Sequence, residues 1–77
     1  MICAFIDKNF DYEFKEIQRY EAVSLMVGEP FNNLISICID SEYYIFFDRE
    51  VYVEENMEKI AKLLTKVNFE LMIKNQK

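Results

Sequence analysis

Residues 41–50 read Ser41-Glu42-Tyr43-Tyr44-Ile45-Phe46-Phe47-Asp48-Arg49-Glu50 and contain the most strand-like run of this 77-residue chain. Four of the five residues at positions 43–47 are aromatic, and aromatic residues are enriched in β-strands. A second apolar run, residues 34–39, precedes this one across the polar residues 40–42. Two such runs joined by a short polar turn are typical of an antiparallel β-hairpin. We therefore predict an antiparallel hairpin formed by residues 34–39 and 43–47.

A second hairpin is predicted at the N-terminus. Residues 2–6 form an apolar run, and residues 10–16 alternate without exception between aromatic and charged side chains. A period of two residues is typical of a half-buried strand. Lys8 and Asn9 would turn the chain between these strands, although the glycine that such turns favour is absent.

Residues 17–27 have two interpretations. They include good helix formers, but Val23, Leu25 and Val27 alternate, and the apolar positions are spread around the helical wheel. The alternation favours a strand, since a surface helix would show one apolar stripe. A helix over about residues 12–27 is the alternative.

The clearest helix of the sequence is predicted over about residues 54–67. Its apolar residues recur at three- and four-residue spacing and are Met57, Ile60, Ala61, Leu64 and Val67. Acidic residues occupy the start of this segment and lysines its end, an order that suits the helix dipole. Asn68 is expected to end the helix, so residues 69–73 are predicted to form a last strand or a docked tail.

Together these elements predict an α+β fold in which residues 1–77 form a single compact domain. A small antiparallel β-sheet of four to six strands carries one amphipathic helix, about residues 54–67, on one face. The alternative adds a second helix at about residues 12–27. Gly28 and Pro30, the only glycine and proline, predict a loop rather than a domain boundary, because neither half of so short a chain buries its own core.

Several classes of chemistry are missing from the sequence. The chain has no histidine, the commonest general base and metal ligand, and its single glycine excludes glycine-rich phosphate-binding loops. We therefore expect no enzyme, no cofactor and no metal site, and we interpret paired carboxylates such as Asp48 and Glu50 as solvated strand ends. Cys3 and Cys38 lie in predicted strands, where we expect buried free thiols, with a disulfide as the alternative.

The sequence gives no indication of a membrane. No apolar run approaches the roughly 18 residues that a membrane-spanning helix needs. The N-terminal residues have no basic flank and turn acidic after six residues, unlike a signal peptide. The expected protein is therefore cytoplasmic and makes no membrane contact.

Charge is unevenly distributed along the chain. Residues 1–58 carry 13 acidic and four basic residues, a net charge of −9, whereas residues 59–77 carry one acidic and five basic residues, a net charge of +4. Within residues 40–58, seven acidic residues stand against Arg49 alone. Aromatic strands that bind nucleic acid need a basic groove for the phosphates, so we expect no direct nucleic-acid binding.

The predicted function is that of a non-enzymatic acidic module that binds a protein partner with a basic surface. Carboxylates on one face of a strand lie about 6.6–6.8 Å apart, a spacing comparable to that of a nucleic-acid backbone. The most specific prediction is a small phage-type inhibitor, such as an anti-CRISPR or anti-restriction protein, that occupies a nucleic-acid-binding surface by charge mimicry. The predicted partner-binding residues are Asp40, Glu42, Asp48, Glu50, Glu54, Glu55 and Glu58, with Tyr43, Tyr44 and Tyr52 as anchors.

Two other classes of protein are compatible with this composition. An immunity protein or antitoxin that neutralises a basic toxin would use the same electrostatics with a different partner. A homodimeric structural or assembly subunit would pair edge strands through its aromatic face. Salt separates mimicry from aromatic homodimerisation, because exposed charges are screened within about 8–10 Å.

Overall fold

The computed structural model describes residues 1–28, 32–40 and 42–76. The elements in chain order are β1 (Ile2–Ile6), β2 (Tyr12–Glu16), α1 (Arg19–Val27), β3 (Leu34–Ile39), β4 (Tyr43–Asp48) and α2 (Met57–Asn75), with one 3₁₀ turn at Glu54–Asn56 before α2. The α+β fold and both predicted hairpins are confirmed. Ser41 of the predicted turn and residues 29–31 of the predicted loop lie outside the described residues.

The four strands form a mixed sheet in the order β2-β1-β4-β3. The two hairpins are antiparallel, but their inner strands β1 and β4 pair in parallel, with Phe5 opposite Phe46. The prediction that the sheet is antiparallel throughout was therefore wrong. Alternating apolar residues and turn residues identify each hairpin locally. The pairing of one hairpin with the other joins residues far apart in the sequence and has no such local pattern. Here α1 lies in the connection between them, as parallel strands require a crossover.

The central strand β4 is buried on both faces. Ile45 and Phe47 point toward α2, and Tyr44 and Phe46 point toward the face that α1 covers, as the period of two residues requires. Strands buried on both faces are typical of parallel pairs in the middle of a sheet. The core on the α2 side consists of Ala4, Ile6, Ile45, Phe47, Val51, Ile60, Val67 and Leu71.

The segment at residues 17–27, for which a strand was favoured, is the helix α1. The Gln18 N–H donates to the Glu21 carboxylate at 3.2 Å, which satisfies one of the free donors at the start of the helix. Ala22 is fully buried against the sheet, and its small side chain allows the helix to lie close. The alternative, a helix over residues 12–27, has the right element type but begins too early, because residues 12–16 are β2.

The last predicted strand or tail, residues 69–73, is instead the C-terminal part of α2. Leu71 is fully buried and continues the apolar stripe four residues after Val67. The Asn75 side chain then ties the helix end to β1, since its amide accepts from the Ile2 N–H and donates to the Ile2 carbonyl, both at 2.9 Å. Neither helix in the described part of the chain is long and apolar enough to cross a membrane.

Both cysteines are free, and only one is buried. Cys3 is fully buried under α1, whereas Cys38 is exposed on the edge strand β3. Burial raises the pKa of the Cys3 thiol above its usual value, which reduces its thiolate fraction at neutral pH. The prediction of two buried thiols therefore holds for Cys3 and is wrong for Cys38.

In the native protein we expect one thiol to react rapidly with a chromogenic disulfide reagent and the other to react only after unfolding. Cys38 is accessible, whereas Cys3 combines inaccessibility with a raised pKa. Following absorbance at native and denaturing urea concentrations checks the prediction. The Cys38→Ser variant should show no rapid phase, and two equally rapid phases in the unmodified chain would contradict the burial of Cys3.

Candidate acidic binding site

Carboxylates collect at the end of the sheet where β1 and β4 terminate and β2 begins. Because β1 and β4 are parallel, Asp7 and Asp48 emerge side by side. The turn into β2 and the 3₁₀ turn before α2 lie at this same end. We call the resulting group the acidic end, and its members are Asp7, Asp11, Glu13, Asp48, Glu50, Glu54, Glu55 and Glu58. All are exposed except Asp48, which is half-buried.

Two of the predicted acidic residues lie at the opposite end of the sheet. Asp40 and Glu42 flank the start of β4, whereas Asp48 ends it, and six residues of strand span about 20 Å. Glu42 there lines a shallow depression together with Glu16, Arg19 and Lys74, so that acidic and basic side chains are mixed at this end. The predicted row of carboxylates is therefore divided, and only the part from Asp48 onward belongs to the acidic end.

The three tyrosines predicted as anchors lie in or against the core. Tyr44 is only 7% exposed and stacks on Phe46 at 6.1 Å between ring centroids. Tyr52 is half-buried and packs edge-on against Phe47. Tyr43 is half-buried, and its partial burial and the negative charge of the adjacent Glu42 carboxylate raise its pKa. Because helices cover both faces of β4, these aromatic side chains mainly stabilise the fold.

A groove of about 440 Å³ opens on the α1 face of the sheet at the acidic end. Its floor contains Phe5, Leu34 and Phe46, and the rings of Phe5 and Phe46 stack at 5.1 Å. Its rim carries four carboxylates, those of Asp7, Asp11, Glu13 and Asp48. An apolar floor with a charged rim is a common construction for a binding site.

The rim carboxylates have two different roles. Asp7 Oδ1 accepts from the backbone N–H groups of Asn9 at 2.8 Å and Asp11 at 3.1 Å, and Asp48 Oδ1 accepts from the Glu50 N–H at 2.9 Å. These two side chains therefore hold the turns that form the rim. Glu13 pairs with the Lys15 ammonium at 3.2 Å on a well-exposed surface.

Several cations at this end are engaged by neighbouring groups. Arg49 donates from its guanidinium to the Leu34 carbonyl at 3.0 Å, which holds this side chain against β3. Lys59 lies over the Phe10 ring at 4.7 Å, and Lys62 lies 3.8 Å from the Glu58 carboxylate. The remaining carboxylates leave a negative surface around the groove.

The acidic end is not arranged around one point. Among the described residues, no three His, Cys, Asp or Glu side chains lie close enough together to hold a metal ion. The four rim carboxylates instead surround an apolar floor. This distribution suits a cationic group that carries an apolar stem, because the stem and the charge can be recognised separately.

No protein-family model matches the chain, and comparisons with curated proteins and with solved structures find no match.

Sequence reasoning missed the groove because it considered the two hairpins separately. The alternation of residues 10–16 does place Asp11, Glu13 and Lys15 on one face, and the register of the hairpin sets Glu13 opposite Phe5. That part of the rim had a local signal. The parallel pairing of β1 with β4, which brings Asp48 beside this hairpin, has no local signal in the sequence.

Proposed function

We propose that this protein is a non-enzymatic protein-binding module of the cytoplasm whose acidic end binds a basic surface of its partner. The most specific form of the proposal is an inhibitor that occupies a nucleic-acid-binding surface and mimics the charge of the nucleic acid. The observation that carries it is the gathering of carboxylates from three separate chain segments at one end of the sheet.

Exposed carboxylates at one end produce a field that extends over about 8–10 Å at physiological salt. Such a field attracts a basic surface and accelerates the encounter, while apolar contacts reduce the rate of dissociation. The groove supplies an apolar contact, because part of its floor is the half-buried ring of Phe5.

The proposed contact residues differ in part from those predicted. Asp48, Glu50 and the 3₁₀-turn and helix-start carboxylates are retained, and the groove contributes Asp7, Asp11 and Glu13. Asp40 and Glu42 are set aside because they lie at the opposite end, and Tyr44 is set aside because it is buried.

Affinity capture at about 0.1 M and about 1 M salt tests the proposal, because screening shortens the reach of exposed charges from about 10 Å to about 3 Å. We expect the immobilised protein to retain a basic nucleic-acid-binding protein at the lower concentration and to release it at the higher one. Added nucleic acid should displace the chain from that partner, since the two compete for one surface.

Retention of only this protein, independent of salt, would contradict the proposal and favour self-assembly. A salt-sensitive partner that nucleic acid does not displace would retain the basic contact but exclude mimicry. A basic toxin whose activity the chain neutralises would assign the same surface to an immunity protein or antitoxin.

A further inference from the structure

We infer that the groove binds one basic side chain of the partner. The apolar stem of this side chain packs on the Phe5 ring, and its charged group lies at the carboxylate rim. The inference rests on the proposed function and names the chemical group that the site recognises. An arginine guanidinium fits best, because it is planar, stacks on aromatic rings and donates to two oxygens at once.

The chain already places one of its own cations at the margin of this groove. The Lys15 ammonium lies 5.2 Å from the centre of the Phe5 ring and 3.2 Å from the Glu13 carboxylate. The ring and the carboxylate thus form a pair that holds a cation between them. The Lys15 side chain is 53% exposed, so an incoming group can displace it without disturbing the core.

The groove also fits the rest of a basic side chain. Its volume of about 440 Å³ lies within the range of small-ligand sites, and the half-buried Leu34 extends the apolar floor beyond Phe5. Apolar stems of arginine and lysine pack on such surfaces while the charged head remains at the rim. Two rim carboxylates differ in their hydrogen bonding. The Asp7 carboxylate accepts two backbone hydrogen bonds, whereas no hydrogen bond to the Asp11 carboxylate is found among the described residues.

Removal of Lys15 should strengthen the binding of an external cation. We expect Lys15→Gln to bind an arginine peptide about twofold to fivefold more tightly, because the ring and the Glu13 carboxylate no longer have an internal partner. Lys8→Gln is the matched control: it makes the same change in net charge on an exposed residue of the β1–β2 turn. The control should gain less than Lys15→Gln.

The probe is the blocked tripeptide Gly-Arg-Gly, and its citrulline counterpart has the same shape without the charge. Titration followed by amide resonances should shift Phe5, Glu13, Leu34 and Asp48 with the arginine peptide and leave them unchanged with the citrulline peptide. Asp11→Asn with Glu13→Gln should weaken binding, whereas Asp40→Asn with Glu42→Gln, the same replacements at the opposite end, should not.

Equal gains for Lys15→Gln and Lys8→Gln would overturn the inference, because net charge alone would then explain the effect. So would shifts spread over carboxylates at both ends of the sheet. If salt-sensitive capture of a basic partner persists in the Asp11→Asn, Glu13→Gln variant, the groove inference fails and the proposed function stands. If the unmodified chain shows neither salt-sensitive capture of a basic partner nor binding of the arginine peptide, both the groove inference and the proposed function fail.

Discussion

The Leu71→Ala variant should have a free energy of unfolding about 2–5 kcal/mol below that of the unmodified chain. Leu71 is fully buried in the core between α2 and the sheet, so truncation removes apolar contacts and leaves a cavity. A domain of this size has a total stability of about 4–12 kcal/mol. The loss is therefore a large fraction of the whole, and urea unfolding followed by circular dichroism measures it.

Phe69→Ala is the matched control on the same helix. Phe69 is larger than Leu71 but 65% exposed, so its truncation should change the free energy of unfolding by less than about 0.5 kcal/mol. Equal losses for the two variants would contradict the orientation of the C-terminal part of α2. A small loss for Leu71→Ala would mean that residues 69–73 behave as the docked tail that the sequence suggested.

The elements with a strong local period were predictable from the sequence. The four strands were found within two residues of their ends, and the helix that follows β4 was found at its start. The predicted end of α2 was too early because Asn68 was taken as a stop signal. The three- and four-residue spacing of apolar residues continues past it, since Leu71 extends the stripe of Ile60, Leu64 and Val67. A single polar residue does not stop a helix whose next apolar residue has a place in the core.

The short helix α1 was predicted only as the alternative, with a start that was too early, and for a different reason. A helix that covers only part of a sheet needs few buried residues, and α1 buries Ala22 while Tyr20 and Val27 remain largely exposed. Such a helix shows no clear apolar stripe, so periodicity could not distinguish it from a strand. This helix determines whether the aromatic residues of β4 are exposed. It covers the face of β4 on which Tyr44 and Phe46 would otherwise be accessible to solvent.

The candidate site was predictable in its chemistry but not in its location. The acidic surplus before residue 59 is evident in the sequence, and Asp48, Glu50 and the 3₁₀-turn glutamates do lie together. The antiparallel hairpin β3–β4 separates Asp40 from Asp48, since its turn and its open end lie at opposite ends of the sheet. Grouping by sequence distance therefore joined carboxylates that the strand separates.

The Asp11→Asn, Glu50→Lys variant should bind a basic partner about 3-fold to 150-fold more weakly than the unmodified chain. It changes the net charge by three units at the acidic end, and each exposed ion pair contributes about 0.2–1 kcal/mol. Both side chains are exposed, and neither carboxylate accepts a hydrogen bond among the described residues, so the fold should be retained. Calorimetric titration of the captured partner measures the change, and thermal unfolding verifies the fold.

The control with the same chemistry is Asp40→Asn, Glu42→Lys, which alters the opposite end of the sheet by the same charge. Asparagine suits position 40, where the backbone has a φ of 53°. If the acidic end makes the contact, this variant should retain most of the affinity, because its charges lie beyond the screening length from the bound surface. Equal weakening by both variants would show that net charge governs binding, and no weakening by either would exclude the carboxylates. Only a loss confined to Asp11 and Glu50 assigns binding to the end of the sheet where β1 and β4 terminate.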